Sequence, residues 1–143
     1  MPMRIEQIAP HQTWRIRHEV MWPDRELDYV KLPEDDEGVH FGLYVEGKLV
    51  SVVSAFENGK EAQFRKFATL EAHQGKGYGS QLLNYLFEWL TEQGAVRIWC
   101  NARIEKCGFY ERFGMVKTDE TFQKGGKDYV VMEWVVADSA SPI

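Results

Sequence analysis

Three glycines at alternate positions precede an apolar helical pattern in Gln74-Gly75-Lys76-Gly77-Tyr78-Gly79-Ser80. Glycine costs backbone entropy wherever it is ordered, so a bland connector has no need of three. Without a Cβ, these residues let main-chain N–H groups approach a bulky anion. The helix N-terminus that follows adds unpaired donors and a partial positive charge. The chemistry this suits is the grip on a pyrophosphate. Lys76 adds a direct charge, and Ser80 adds a hydroxyl in the first turn. A P-loop needs GxxxxGK followed by Ser or Thr, and no such string occurs. A dinucleotide fingerprint needs GxGxxG after the first strand of a parallel fold. Here the spacing is GxGxG, and hairpin patterns come before it.

The elements that must carry this loop are legible from periodicity. Residues 3–8 alternate as a strand. Residues 10–21 read as a helix with Trp14, Ile16, Val20 and Met21 on its apolar face, ended by Pro23. Residues 24–38 are polar and acidic, and the run Glu34-Asp35-Asp36-Glu37 reads as a solvated surface. Residues 40–45 and 49–56 are strands joined through Glu46-Gly47-Lys48. Asn58-Gly59 then reads as a hairpin turn in which both residues tolerate positive φ. Residues 61–70 form the next strand, with Ala62, Phe64, Lys66 and Ala68 on one face. Tyr78, Leu82, Leu83, Leu86 and Leu90 recur at helical spacing, and Gly94 supplies the stop. Residues 96–101 are a short strand, and residues 105–113 a short helix ended by Gly114. Residues 115–123 and 128–136 are final strands joined through Gly125-Gly126.

The strand–helix–strand unit over residues 61–101 makes its two strands parallel with a right-handed crossover. The expected fold class is therefore α+β, a mixed α/β sandwich. Its central sheet is mixed, mostly antiparallel, with six to seven strands flanked by helices. A chain of 143 residues fits a single domain over 1–143, with residues 137–143 as a frayed tail.

Bulk properties exclude several function classes. The net charge of −5 and pI near 5.4 lack the dense cationic surface of a nucleic-acid binder. A cationic amine substrate agrees with that charge. No stretch approaches the ~20 apolar residues of a membrane helix. The expectation is a cytoplasmic protein with no membrane or nucleic-acid partner. Cys100 and Cys107 are seven apart, with no CxxC and no His at zinc spacing, so they read as reduced thiols and no metal site is expected.

Gln74-x-x-Gly77-x-Gly79 resembles the acetyl-CoA loop of the GNAT family of N-acetyltransferases, whose pattern is Gln/Arg-x-x-Gly-x-Gly/Ala. The preceding Phe64-Arg65-Lys66-Phe67-Ala68-Thr69-Leu70 is similar to the family's fourth strand. Asn101 with Cys107-Gly108-Phe109-Tyr110-Glu111-Arg112-Phe113-Gly114-Met115 resembles the family's Asn…Ala-x-x-Phe-Tyr-x-x-x-Gly-Phe. The resemblance covers essentially the whole chain and has the same element order. It implies that main-chain groups of Phe67, Ala68 and Thr69 pair with the acetyl carbonyl and pantetheine as an added strand would. Amides from Gln74, Gly75, Lys76, Gly77, Tyr78 and Gly79, with Ser80, would hold the pyrophosphate. Asn101 would contact the pantetheine arm, and Tyr110 would lie near the thioester sulfur.

The implied reaction is direct acetyl transfer from acetyl-CoA to a primary amine of a small molecule or peptide. An alkylamine with a pKa near ~10 must lose a proton before it attacks. An N–H of Phe67 or Ala68 would face the developing oxyanion. Tyr110 is the expected proton donor to the thiolate. His18, Glu19, Glu57 and Glu120, with His40 and His73 behind them, are the titratable candidates for a base, and none is singled out. Trp14, Trp22, Tyr29 and Phe122 are candidate walls of the acceptor pocket, and Tyr129 could point toward it. The chain departs from the family at Lys106-Cys107-Gly108, where alanine or serine is usual. Gly108 predicts an irregular short helix, and Cys107 lacks a base partner, so a covalent route is disfavoured. The competing readings are a non-catalytic acyl-CoA-binding module and a phosphate-binding protein of another kind. A homodimer stays open, since dimers are common among homo-oligomers.

Overall fold

The computed structural model describes residues 3–136. Its strands are β1 (Met3–Ile8), β2 (Val39–Val45), β3 (Lys48–Asn58), β4 (Glu61–Thr69), β5 (Arg97–Arg103), β6 (Val116–Lys124) and β7 (Lys127–Val135). The α-helices are α1 (His11–Met21), α2 (Tyr78–Glu92) and α3 (Cys107–Glu111). The seven strands form one sheet in the order β1-β2-β3-β4-β5-β7-β6. β4 and β5 are parallel, whereas β1–β2, β2–β3, β5–β7 and β6–β7 are antiparallel. This is the mixed, mostly antiparallel α+β sheet that the periodicity predicts. The expected tail at 137–143 lies outside the described residues.

The chain divides into two compact units. The first contains residues up to Phe56 together with Phe64–Trp89, and the second contains Glu57–Gln63 and the residues from Leu90 onward. In the first unit, Val50, Ser51, Val52, Val53, Ser54 and Ala55 of β3 are all shut off from solvent. Burial on both faces marks a central strand, which explains its nearly continuous β-branched and small run. Leu82, Leu83 and Leu86 of α2 are fully buried, each worth about 1.5–3 kcal/mol relative to exposure. In the second unit Ile98, Cys100 and Ala102 alternate inward on β5, and Val130, Val131 and Met132 are all buried on β7. Cross-strand pairing sets Cys100 opposite Met132 and Ala102 opposite Val130.

Three local expectations need correction. The buried face of α1 is Thr13, Ile16 and Arg17; of the expected apolar positions Ile16 is buried, Trp14 and Val20 are half-buried, and Met21 is exposed. The β3–β4 hairpin turns on Gly59-Lys60 with positive φ only at Gly59, because Asn58 stays in the strand. The helix expected over 105–113 is a 3-10 turn at Ile104–Lys106 followed by the short α3. Gly108 inside that segment is the residue least able to hold a regular helix.

Candidate functional site

The glycine loop closes β4 onto α2 within the first unit. Gly75 and Gly77 have φ of 77° and 85°, and a Cβ at either would meet nothing within 4 Å. Their outer side is therefore open, and the left-handed backbone explains glycine at both places. Gly79 serves a different purpose. A Cβ there would stand 2.9 Å from Phe67 Cζ and 3.5 Å from Thr69 Oγ1, so its absence lets the first turn of α2 lie against the end of β4. The ladder of α2 begins with Gln81 N–H donating to Gly77 O at 3.1 Å. N–H groups ahead of Gln81 thus have no partner inside the helix.

Gln74 belongs to the frame of this loop. Its side-chain Nε2 donates to Thr69 O at 2.9 Å, and its own N–H donates to Glu71 O at 3.2 Å. Ser51 ties the same strand end to β3, with its Oγ 2.8 Å from Thr69 Oγ1 and 3.2 Å from Ala68 O. Lys66, two residues before Ala68, has a φ of 57°. A non-glycine residue there is strained and breaks the regular pleat. The β4–β5 ladder covers residues 61–63 opposite 97–99, before that break. His73 keeps its ring 6.2 Å from Tyr78, and its Nδ1 is buried with no partner. Lys76 is exposed.

A cavity of about 350 Å³ beside the loop is lined by Glu19, Val20, Leu70, Glu71 and Gln74. It brings the base candidate Glu19 next to the loop residue Gln74. Two carboxylates make it unsuited to phosphate. Glu19 also pairs with Arg15 at 3.1 Å. His18 Nε2 donates to Arg25 O at 2.6 Å, and Glu57 and Glu120 are exposed.

The first unit also holds a buried polar cluster. Arg17 makes a bidentate pair with Asp35, at 2.9 Å to Oδ2 and 3.0 Å to Oδ1. Asp35 Oδ2 also accepts from Trp14 Nε1 and Leu32 N–H. Arg17 further donates to Val30 O and Ser54 Oγ, each at 2.9 Å. His40 Nε2 lies 2.8 Å from Asp35 O and its Nδ1 lies 2.7 Å from Ser54 Oγ. A carbonyl only accepts, so Nε2 carries the proton and Nδ1 accepts from Ser54. Burial pushes the His40 pKa down, which favours this neutral form. Burial alone would raise Asp35, but bonds from Arg17, Leu32 and Trp14 outweigh it and hold the carboxyl below its ordinary value. The expected solvated run is thus corrected at Asp35, which is 3% exposed and ion-paired. His40 is sealed in this cluster and cannot serve as an accessible base. Sequence reading missed Arg17. Its one signal was the i, i+3, i+4 stripe with Thr13 and Ile16.

The second unit positions Asn101 and Tyr110. Asn101 is exposed on β5, opposite Val131. Tyr110 follows from α3, with its ring 5.2 Å from Phe109. Burial raises the Tyr110 pKa well above an ordinary phenol, and the nearby Cys100 and Cys107 thiols add to the rise. Burial likewise lifts Cys100, to about 12, and raises Cys107. Both cysteines are free thiols. Both stay protonated at neutral pH, which removes Cys107 as a nucleophile. Phe122 and Tyr129 stack at 5.1 Å and line a cavity of about 380 Å³ with Ile104, Thr121, Gln123 and Asp128. Trp22 and Tyr29 meet edge to face at 5.1 Å in the first unit. Trp14 instead belongs to the Asp35 cluster. Among the described residues no helix is long and apolar enough to cross a membrane, and no three His, Cys, Asp or Glu side chains are grouped to hold a metal ion.

Known proteins resemble the chain in sequence and in fold. The model of the acetyltransferase (GNAT) family matches residues 8–115. The uncharacterized N-acetyltransferase YitI of Bacillus subtilis (strain 168) is 28% identical over 140 residues, covering 91% of this chain and 94% of that protein. A solved structure from Lactobacillus plantarum, assigned as an N-acetyltransferase, superposes with a TM-score of 0.85 at 21% identity, over 96% of this chain and 100% of its own. A Bacillus subtilis acetyltransferase in complex with CoA superposes with a TM-score of 0.75 at 18% identity, over 95% of this chain and 100% of its own. At these identities the two structures speak for a shared fold.

Proposed function

The chain belongs to the GNAT family of acetyltransferases, and from that premise we propose that it transfers an acetyl group directly from acetyl-CoA to a primary amine of a small molecule or peptide. The observation that carries the reading is the loop at the start of α2. Gly75 and Gly77 are open on their outer side, and Gly79 lets the helix N-terminus lie on the end of β4. Backbone amides from Gly75 to Gly79, with Ser80 and Lys76, are the donors for a pyrophosphate. Gln74 braces them through Thr69 O.

When bound, acetyl-CoA supplies an acetyl group activated as a thioester. Main-chain groups of Phe67, Ala68 and Thr69 hold the acyl arm as a strand would, and Asn101 meets the pantetheine. An N–H of Phe67 or Ala68 stabilises the negative charge that grows on the thioester oxygen as the neutral amine attacks. Collapse breaks the carbon–sulfur bond, and Tyr110 Oη gives its proton to the departing sulfur. The proton lost by the amine restores the phenol through solvent. A phenol is protonated at neutral pH, as a donor must be, and burial makes Tyr110 hold that proton more tightly until the thiolate develops beside it.

The test is calorimetric binding of acetyl-CoA, followed by CoA release in the presence of an amine panel. Binding together with amine-dependent CoA release is the expected result. Tight binding without turnover on any amine would make the chain a binding module instead.

A further inference from the structure

The formal charge of this protein is concentrated in one segment. Residues 22–38 hold seven acids (Asp24, Glu26, Asp28, Glu34, Asp35, Asp36 and Glu37) and two bases (Arg25 and Lys31). That gives −5, and the rest of the chain carries 15 acids and 15 bases, which cancel. Arg17 neutralises Asp35 from outside the segment. Asp28 pairs with Lys31 and Glu34 with Arg65. Among the described residues Asp24, Glu26, Asp36 and Glu37 have no ion-pair partner.

The same segment exposes large apolar side chains. Trp22 is 37%, Leu27 45% and Tyr29 49% exposed. The rings of Trp22 and Tyr29 already hold a cation, the guanidinium of Arg25, at 5.9 Å and 4.7 Å from their centroids. Three bonds tie the backbone of this segment to side chains of α1 and to Asp35. His18 fixes the Arg25 carbonyl, Arg17 fixes the Val30 carbonyl, and Asp35 caps the Leu32 N–H. A half-exposed aromatic pair in a segment of unpaired carboxylates suits a ligand that brings both methylenes and positive charge.

We infer that the Trp22–Tyr29 surface, with Asp24 and Glu26 beside it, docks the acceptor as a linear polyamine. Its methylenes lie on the rings, and its ammonium groups face the carboxylates. Two half-exposed rings offer far less than the about 800 Å² that a stable protein interface takes from each partner. A thin flexible cation therefore fits better than a folded basic protein. The inference rests on the acetyl-transfer reading and names the substrate class of that reaction.

The experiment compares acetylation of spermidine, hexylamine and a lysine-rich peptide at low and high salt. Acetyl-CoA binding is followed separately by calorimetry. Spermidine is expected to exceed hexylamine in kcat/KM by about tenfold at low salt, and to lose most of that margin in 0.3 M salt as the charges are screened. Trp22→Ala and the pair Asp24→Asn with Glu26→Gln should each raise the spermidine KM by about tenfold while the KM for acetyl-CoA holds. Thermal melts check that the variants remain folded. Equal use of spermidine and hexylamine, or a spermidine KM indifferent to these variants, overturns the inference while leaving acetyl transfer intact. Preference for the peptide over spermidine does so as well. Absence of acetyl-CoA binding would overturn the acetyl-transfer reading, and this inference with it.

Discussion

Arg17, Asp35 and His40 in the first unit, and Cys100, Cys107 and Tyr110 in the second, are two sets of titratable groups drawn out of water in opposite ways. The first set keeps its charges and pairs them. Asp35 takes two bonds from Arg17 and one each from Trp14 and Leu32, and His40 is threaded between Ser54 and Asp35. The second set stays neutral, with burial pushing every one of its acids upward. Paired charges demand partners at fixed angles, so they tie α1, the acidic segment, β2 and β3 together. Neutral acids make no such demand and keep their protons in hand. The first arrangement is suited to holding a surface still, and the second keeps its protons bound at neutral pH.

The comparison can be broken most directly at Arg17. Arg17→Ala leaves the Asp35 carboxylate buried without its counter-charge, which should cost about 3–5 kcal/mol in chemical denaturation. A loss below about 1 kcal/mol would mean that the cluster contributes little. Tyr110→Phe sharpens the other side. It removes the proposed proton donor with one oxygen atom, so kcat should fall by at least about 100-fold while the melting temperature changes little. Unchanged turnover at saturating acetyl-CoA would remove Tyr110 from the chemistry. Gly77→Ala forces a Cβ onto a backbone at φ 85°. A strain of roughly 1–2 kcal/mol should weaken acetyl-CoA binding by about tenfold, and calorimetry measures it.

The smallest effects are those of pH, and their signs differ between the units. The Asp35 pKa is lowered in the fold, so its contribution is complete above the ordinary carboxyl value near ~4 and is lost as pH falls below it. The His40 pKa is lowered too, so its contribution is present above ~6.5 and fades on acidification. Cys100 and Tyr110 are raised, so theirs is present below ~8.5 and ~10 respectively and fades as pH climbs toward the folded values. Hydrogen exchange should therefore show β2 amides losing protection first in acid and β7 amides first in alkali. Simultaneous loss at either end would erase the distinction. The raised phenol also means that Tyr110 should produce no falling limb in kcat below about pH 10.

Much of the fold was legible because it is written in local periods. Alternation in β1 and β4 and turn signals between the other strands located the sheet, and the spacing of Leu82, Leu86 and Leu90 located α2. The glycine loop was legible for a related reason, since closely spaced glycines disclose the backbone they permit, as the positive φ of Gly75 and Gly77 shows. Asn101 and Tyr110 were singled out through the family resemblance, which rests on residues close together in the chain. The base stayed open, because a carboxylate on a helix reads the same whether or not a cavity such as that beside Glu19 faces it. Lys66 gave no warning of its positive φ, since nothing in its side chain favours that region.

The glycine loop and the order of strands and helices were determined by the sequence alone, because each depends on residues a few positions apart. Asp35 shows what was not. It stands in an acidic run that looks solvated, and only the fold brings Arg17, 18 residues away, into a dry bidentate pair with it. The elevation of Tyr110 is of the same kind, since desolvation depends on what packs around the hydroxyl. Tertiary structure decided these because pairing and burial join residues that chain order keeps apart.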